Sequence, residues 1–126
     1  MHRSYIGVEG SQIHYREAGE GPNLILLAPA PHSGLYFETV MPILAKDRHV
    51  IAPDYPGFGL SAAPNTNDFE YTFDNVSKVM EQFIDQLKLD SFYLLMQDYG
   101  GPIGFRIAVK RPEIIKGLII QNANAY

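Results

Sequence analysis

Apolar and polar positions alternate over the first residues of the chain, with Ile6 and Val8 on one side and Tyr5, Gly7 and Glu9 on the other. After Gly10-Ser11 the chain continues through Ile13-His14-Tyr15-Arg16, and two short runs separated by such a pair predict a β-hairpin. Gly19, Gly21 and Pro22 then punctuate the chain before Leu24-Ile25-Leu26-Leu27-Ala28, a continuous apolar run of strand length. An apolar run without alternation suits a strand covered on both faces, as in a parallel sheet. Beyond the loop at 29–34, Phe37, Val40, Met41 and Leu44 recur at helical spacing, with Pro42 working against a helix from within. His49-Val50-Ile51-Ala52 predicts a short strand that stops at Pro53-Asp54, and Tyr55-Pro56-Gly57-Phe58-Gly59 predicts a tight loop.

Residues 62–71, rich in Pro, Asn and Asp, predict a surface loop. From Thr72, a residue type suited to capping, Phe73, Val76, Val79, Met80, Phe83, Ile84 and Leu87 fall on one face of a helix. Ser91 to Met96 predicts another strand, and a helix follows from about Pro102 to Lys110-Arg111-Pro112. Gly117-Leu118-Ile119-Ile120-Gln121 predicts a last buried strand. Strands alternating with helices define an α/β chain: one domain with a mostly parallel sheet, opened by a β-hairpin and carrying helices on both faces.

Composition narrows the function classes. A 46% hydrophobic and 19% charged content over 126 residues suits one globular domain and excludes a disordered chain. The sequence contains no 18-residue apolar span, so no membrane partner is expected. The opening residues lack the pattern of a secretory leader, which makes the cytoplasm the expected location. With no cysteine there is neither a disulfide framework nor a thiolate nucleophile, and no metal or cofactor is expected. A net charge of -4 with scattered basic residues argues against nucleic acid and for a small-molecule substrate.

The chemistry concentrates at Met96-Gln97-Asp98-Tyr99-Gly100-Gly101, where an apolar strand ends on an acid just before a helix. Ligands of open α/β sheets bind beyond the carboxyl ends of the strands, and the pattern has the shape of the Gly-x-Ser-x-Gly nucleophile elbow. The glycines leave room for the bend, and the helix amino terminus adds positive potential. An ionised Asp needs no base to be nucleophilic, and its weak basicity suits displacement at an sp3 carbon with formation of an ester. The competing reading makes Asp98 a simple helix cap.

Three stretches carry a resemblance: Leu26 to Ser33, Asp54-Tyr55-Pro56-Gly57-Phe58-Gly59-Leu60-Ser61, and Gln97 to Gly101. Together they resemble the α/β-hydrolase superfamily, and within it the group of epoxide hydrolases and haloalkane dehalogenases, whose nucleophile is Asp. The second stretch is similar to that family's Asp-x-x-Gly-x-Gly-x-Ser. The resemblance implies that Asp98 is the nucleophile, that the backbone N-H groups of Ala30 and Tyr99 form the oxyanion hole, and that Pro31 and His32 line the site. Where the family usually shows His-Gly-x-Pro, this chain has Ala28-Pro29-Ala30-Pro31. Tyr99 and Ala30 replace the Trp and Asn with which dehalogenases often hold halide, which favours epoxide opening. Asp54 is read as a structural tie of its own loop, and His2, His14 and His49 as structural or exposed.

The resemblance also implies that residues 1–126 are the amino-terminal part of the core domain, before a cap domain. All four histidines, at 2, 14, 32 and 49, precede Asp98, so the base and acid of the family's triad are expected further along. Two readings remain: a hydrolase whose piece here lacks turnover alone, or a non-catalytic truncated α/β module that binds a small molecule or a protein. In either, the last strand has an unpaired edge, and self-association through it is expected.

Overall fold

In a computed structural model of the chain, residues 2–8, 11–28, 37–61 and 71–121 are described. Strands β1 (His2–Val8) and β2 (Ser11–Ala18) form the expected antiparallel hairpin, with Ile6 opposite Ile13. The remaining strands are β3 (Asn23–Leu27), β4 (His49–Pro53), β5 (Phe92–Gln97) and β6 (Ile115–Gln121). All six join one sheet in the order β1-β2-β4-β3-β5-β6. The hairpin attaches to β4 in antiparallel fashion, and β4, β3, β5 and β6 then run parallel. The parallel strands are tied together by crossovers containing α1 (Met41–Leu44), α2 (Phe73–Leu87) and α3 (Gly100–Lys110).

Each helix obeys a local rule. Thr72 accepts a hydrogen bond on Oγ1 from the Asn75 N-H at 3.1 Å, and α2 ends where Lys88 turns left-handed at φ 56°. Its buried positions Val76, Met80, Phe83 and Ile84 form a stripe, and Phe83 meets Tyr15 edge-on at 5.3 Å. The helix expected around Phe37 shrinks to four residues. Pro42 explains this: it is tolerated in a first turn, whereas a helix begun at Phe37 would place it inside.

Helices lie on both faces of the sheet at β3 and β5. A Cβ on Gly104 of α3 would touch Met96 and Leu27, side chains that pair across β5 and β3. Their neighbours Leu24 and Leu95 point the other way and share a cleft with Leu44 of α1. That cleft, about 460 Å³, is lined also by Pro22, Asp47, Arg48, Tyr93 and Ile119. Between the layers Ile25, Leu26, Val50, Ile51 and Leu94 are fully buried.

The expectation of a buried last strand fails at β6. Leu118, Ile119 and Ile120 are 39%, 44% and 48% exposed, and among the described residues β6 pairs only with β5. Its composition is that of a central strand, but within the described residues its outer edge is unpaired and its residues from Leu118 onward are exposed.

Candidate functional site

Asp98 follows the last residue of β5 and has a left-handed backbone at φ 51°. Short polar side chains tolerate that region best, at a cost of about 1–2 kcal/mol. The turn is pinned on both sides, since the Asp98 N-H donates to the Gln121 carbonyl at 3.2 Å and the Gly101 N-H donates to the Asp98 carbonyl at 2.9 Å. The side chain is exposed, and among the described residues nothing hydrogen-bonds its carboxylate. Tyr99, not Asp98, holds the capping position of α3, with a helical backbone and no side-chain bond to the helix. The simple capping role is thereby removed.

The helix starts at Gly100, two residues earlier than Pro102 suggests, because the glycine lets the chain pass close to β3. A Cβ there would lie 2.6 Å from the Leu27 carbonyl oxygen. The half-buried ring of Tyr99 packs against Tyr55, Phe58 and Phe73 at centroid distances of 5.5, 5.8 and 5.0 Å. Burial raises the pKa of its phenol. Tyr55 is fully buried, and its hydroxyl donates to the Ala28 carbonyl at 2.7 Å. Burial, assisted by Tyr99, holds the Tyr55 phenol well above its ordinary pKa, so it remains a donor.

Asp54 has the structural role expected of it, with partners beyond its own loop. Its Oδ2 accepts from the Leu60 N-H at 3.0 Å and lies 3.0 Å from Nδ1 of His14, while Oδ1 accepts from Nη1 of Arg16 at 2.9 Å. His14, Arg16 and Asp54 are all buried. Ser61 completes the knot: its hydroxyl donates to the Asp54 carbonyl and accepts from the His14 N-H. Arg16 also donates through Nε to Glu38, which receives Arg3 as well. Burial alone would raise the Glu38 pKa, but the hydrogen bonds from Arg16 and Arg3 outweigh it and lower it. His49 bridges Asn23 and Glu17, also structurally.

Of the candidate site residues, Asp98 and Tyr99 are adjacent on the elbow, whereas Ala30, Pro31 and His32 lie outside the described residues. The sequence reading gave Tyr55 and Arg16 no role of their own and left His14 as structural or exposed, whereas the structure buries all three. Two polar residues on one face of β2, opposite an acid that must be buried, were the available signal. Among the described residues no cluster of three or more His, Asp or Glu could hold a metal ion, and no helix is long and apolar enough to cross a membrane. The 460 Å³ cleft reaches the amino ends of β3 and β5 and does not include Asp98.

A six-stranded mixed sheet, parallel from β4 to β6 and joined by helical crossovers, defines an α/β architecture. Residues 22–126 match the family described as the alpha/beta hydrolase fold, and the chain belongs to that family. An uncharacterized hydrolase of Saccharomyces cerevisiae is 39% identical over 120 residues, which are 94% of this chain and 41% of the relative. The crystal structure of the haloalkane dehalogenase DbeA from Bradyrhizobium elkani superposes with a TM-score of 0.91 at 32% identity, covering 97% of this chain and 42% of DbeA. The epoxide hydrolase CorEH superposes with a TM-score of 0.87 at 28% identity over 94% of this chain and 41% of its own. The chain thus spans about two fifths of the length of these relatives.

Proposed function

We propose that Asp98 is the nucleophile of a hydrolase that opens epoxides or displaces a group at an alkyl carbon through a covalent ester. One observation carries the reading: an exposed carboxylate on a pinned, left-handed turn at the carboxyl end of a central strand, with no capping duty. A carboxylate oxygen attacks the sp3 carbon, the carbon-oxygen bond of the epoxide breaks, and the resulting alkoxide takes a proton from water. Hydrolysis then occurs at the Asp98 carbonyl carbon, where backbone N-H groups of Tyr99 and Ala30 would receive the oxyanion. Epoxides are preferred over halides because Tyr99 and Ala30 offer no halide-holding indole or amide side chain. Relatives named as a haloalkane dehalogenase and an epoxide hydrolase support both ends of this range.

No histidine follows Asp98 in this sequence, so water has no base from the expected place and the ester should persist in this chain. The test is intact-mass spectrometry after incubation with 1,2-epoxyhexane, with peptide mapping of the adduct. One added epoxide on Asp98, absent from Asp98→Asn, is expected. Equal labelling of Asp98→Asn, or label on another residue, would overturn the assignment.

A further inference from the structure

Tyr55 lies in the loop after β4, yet two of its contacts join the two segments that the ester's chemistry depends on. Its hydroxyl holds the Ala28 carbonyl, the first residue past β3, at 2.7 Å. Its ring packs 5.5 Å from Tyr99, the residue directly after the acid. The loop itself cannot drift: the neighbouring Asp54 is bonded to Arg16 and the Leu60 N-H and set against His14, and the Phe58 N-H donates to the Tyr55 carbonyl at 2.9 Å. The ring also meets Phe58 at 6.0 Å, and Phe58 in turn meets Tyr99. A fully buried phenol that donates to a main-chain carbonyl is costly to leave unpaired, so the carbonyl direction at Ala28 is set by Tyr55.

We propose that Tyr55 is a positioning residue for the ester-cleaving step: by fixing the Ala28 carbonyl and the Tyr99 ring together, it sets the spacing between the chain leaving β3 and the amide behind Asp98. The inference rests on the reading of Asp98 as nucleophile. In the sequence, Ala30 stands two residues past Ala28, whose carbonyl Tyr55 holds. Attack by the carboxylate on an epoxide creates no new negative charge on the aspartyl oxygens. Cleavage of the ester does create an oxyanion, so the two steps respond differently to a misplaced donor.

The difference can be read without a catalytic base by using hydroxylamine as the nucleophile. Its nitrogen attacks the Asp98 carbonyl carbon, the intermediate carries the oxyanion, and the ester carbon-oxygen bond breaks. The diol departs with the proton lost from nitrogen, leaving a hydroxamate on Asp98. The 126-residue chain is first labelled with 1,2-epoxyhexane, then treated with hydroxylamine, and both rates are followed by intact mass. Tyr55→Phe is expected to form the ester at an unchanged rate and to lose it about tenfold more slowly. Equal loss in the two proteins would overturn the role of Tyr55, and so would equal slowing of both steps, which signals general loosening. Should Tyr55→Phe fail to fold, 4-aminophenylalanine at position 55 retains the ring and a weaker donor. It should slow ester loss alone, and unchanged loss would overturn the inference. Failure of the wild-type chain to label at Asp98 would overturn the nucleophile assignment, and this inference with it.

Discussion

Gly100 is the position at which the elbow is most sensitive to one added methyl group. A Cβ there would lie 2.6 Å from the Leu27 carbonyl oxygen, 2.9 Å from the Leu27 Cβ and 3.0 Å from the Leu27 carbonyl carbon. Comfortable carbon contacts begin near 3.5 Å, so strand and helix must separate by roughly 0.5–1 Å. Both partners are main chain in a packed layer, and overpacking of this kind costs about 1–3 kcal/mol. The gain from replacing glycine in a helix is at most about 1 kcal/mol and smaller at the first helical residue. Gly100→Ala should therefore lose about 1–2 kcal/mol, lowering the urea midpoint by roughly 1 M for an m value near the small-protein average. Gly104→Ala is the control. Its Cβ would meet the Met96 sulfur at 2.2 Å, a closer approach on paper, but a thioether can rotate aside. A rotamer penalty of about 0.5–1.5 kcal/mol against a helix gain of about 1 kcal/mol leaves that variant near wild type. Urea unfolding followed by circular dichroism ranks the two. Gly100→Ala as stable as wild type, or Gly104→Ala the weaker variant, would refute the argument that main-chain rigidity decides the cost.

Two further outcomes follow from features away from the elbow. Glu38 has a folded pKa below its ordinary value of 4.5, so its contribution to stability is present above that pH and is lost as pH falls through the folded value. Glu38→Gln should flatten the fall of the urea midpoint below pH 4.5, and parallel curves for the two proteins would contradict the assignment. At the other end of the sheet, the exposed Leu118 and Ile120 of β6 should drive pairing between copies, so that light scattering at roughly 100 μM reports a dimer or larger. Leu118→Lys with Ile120→Lys should return it to a monomer. A wild-type chain already monomeric at that concentration would rule the edge out as a contact.

The local devices were legible in the sequence because they act over a few residues. Thr72 caps α2, the two alternating runs at the start of the chain pair as hairpin strands, and each apolar run became a strand. The elbow at Asp98 was visible for the same reason, since an acid between a strand and two glycines is a local pattern. Periodicity misled where a second local rule competed, as Pro42 did when it confined α1 to four residues. The partners of Asp54 were hidden because they stand 38 and 40 residues away on β2, and nothing short of the sheet order brings them together. Likewise β6 read as buried from its apolar residues alone, whereas burial depends on a neighbour that composition does not name. The helix start at Gly100 turned on a contact with Leu27, which is equally remote in the chain.

The order of the strands also bears on how the chain is made. β3 lies between β4 and β5, and Leu26 pairs with Leu95, roughly 70 residues later. At a ribosomal pace of about 5–20 residues per second, the middle of the sheet waits roughly 4–14 s for its second neighbour. During that interval the hairpin and β4 can assemble on one side, while the other side of Leu24–Leu27 stays open to any extended segment nearby. A nascent chain with this topology is therefore a natural client for holding chaperones, and codon choices that slow synthesis between residues 28 and 92 would lengthen its exposure.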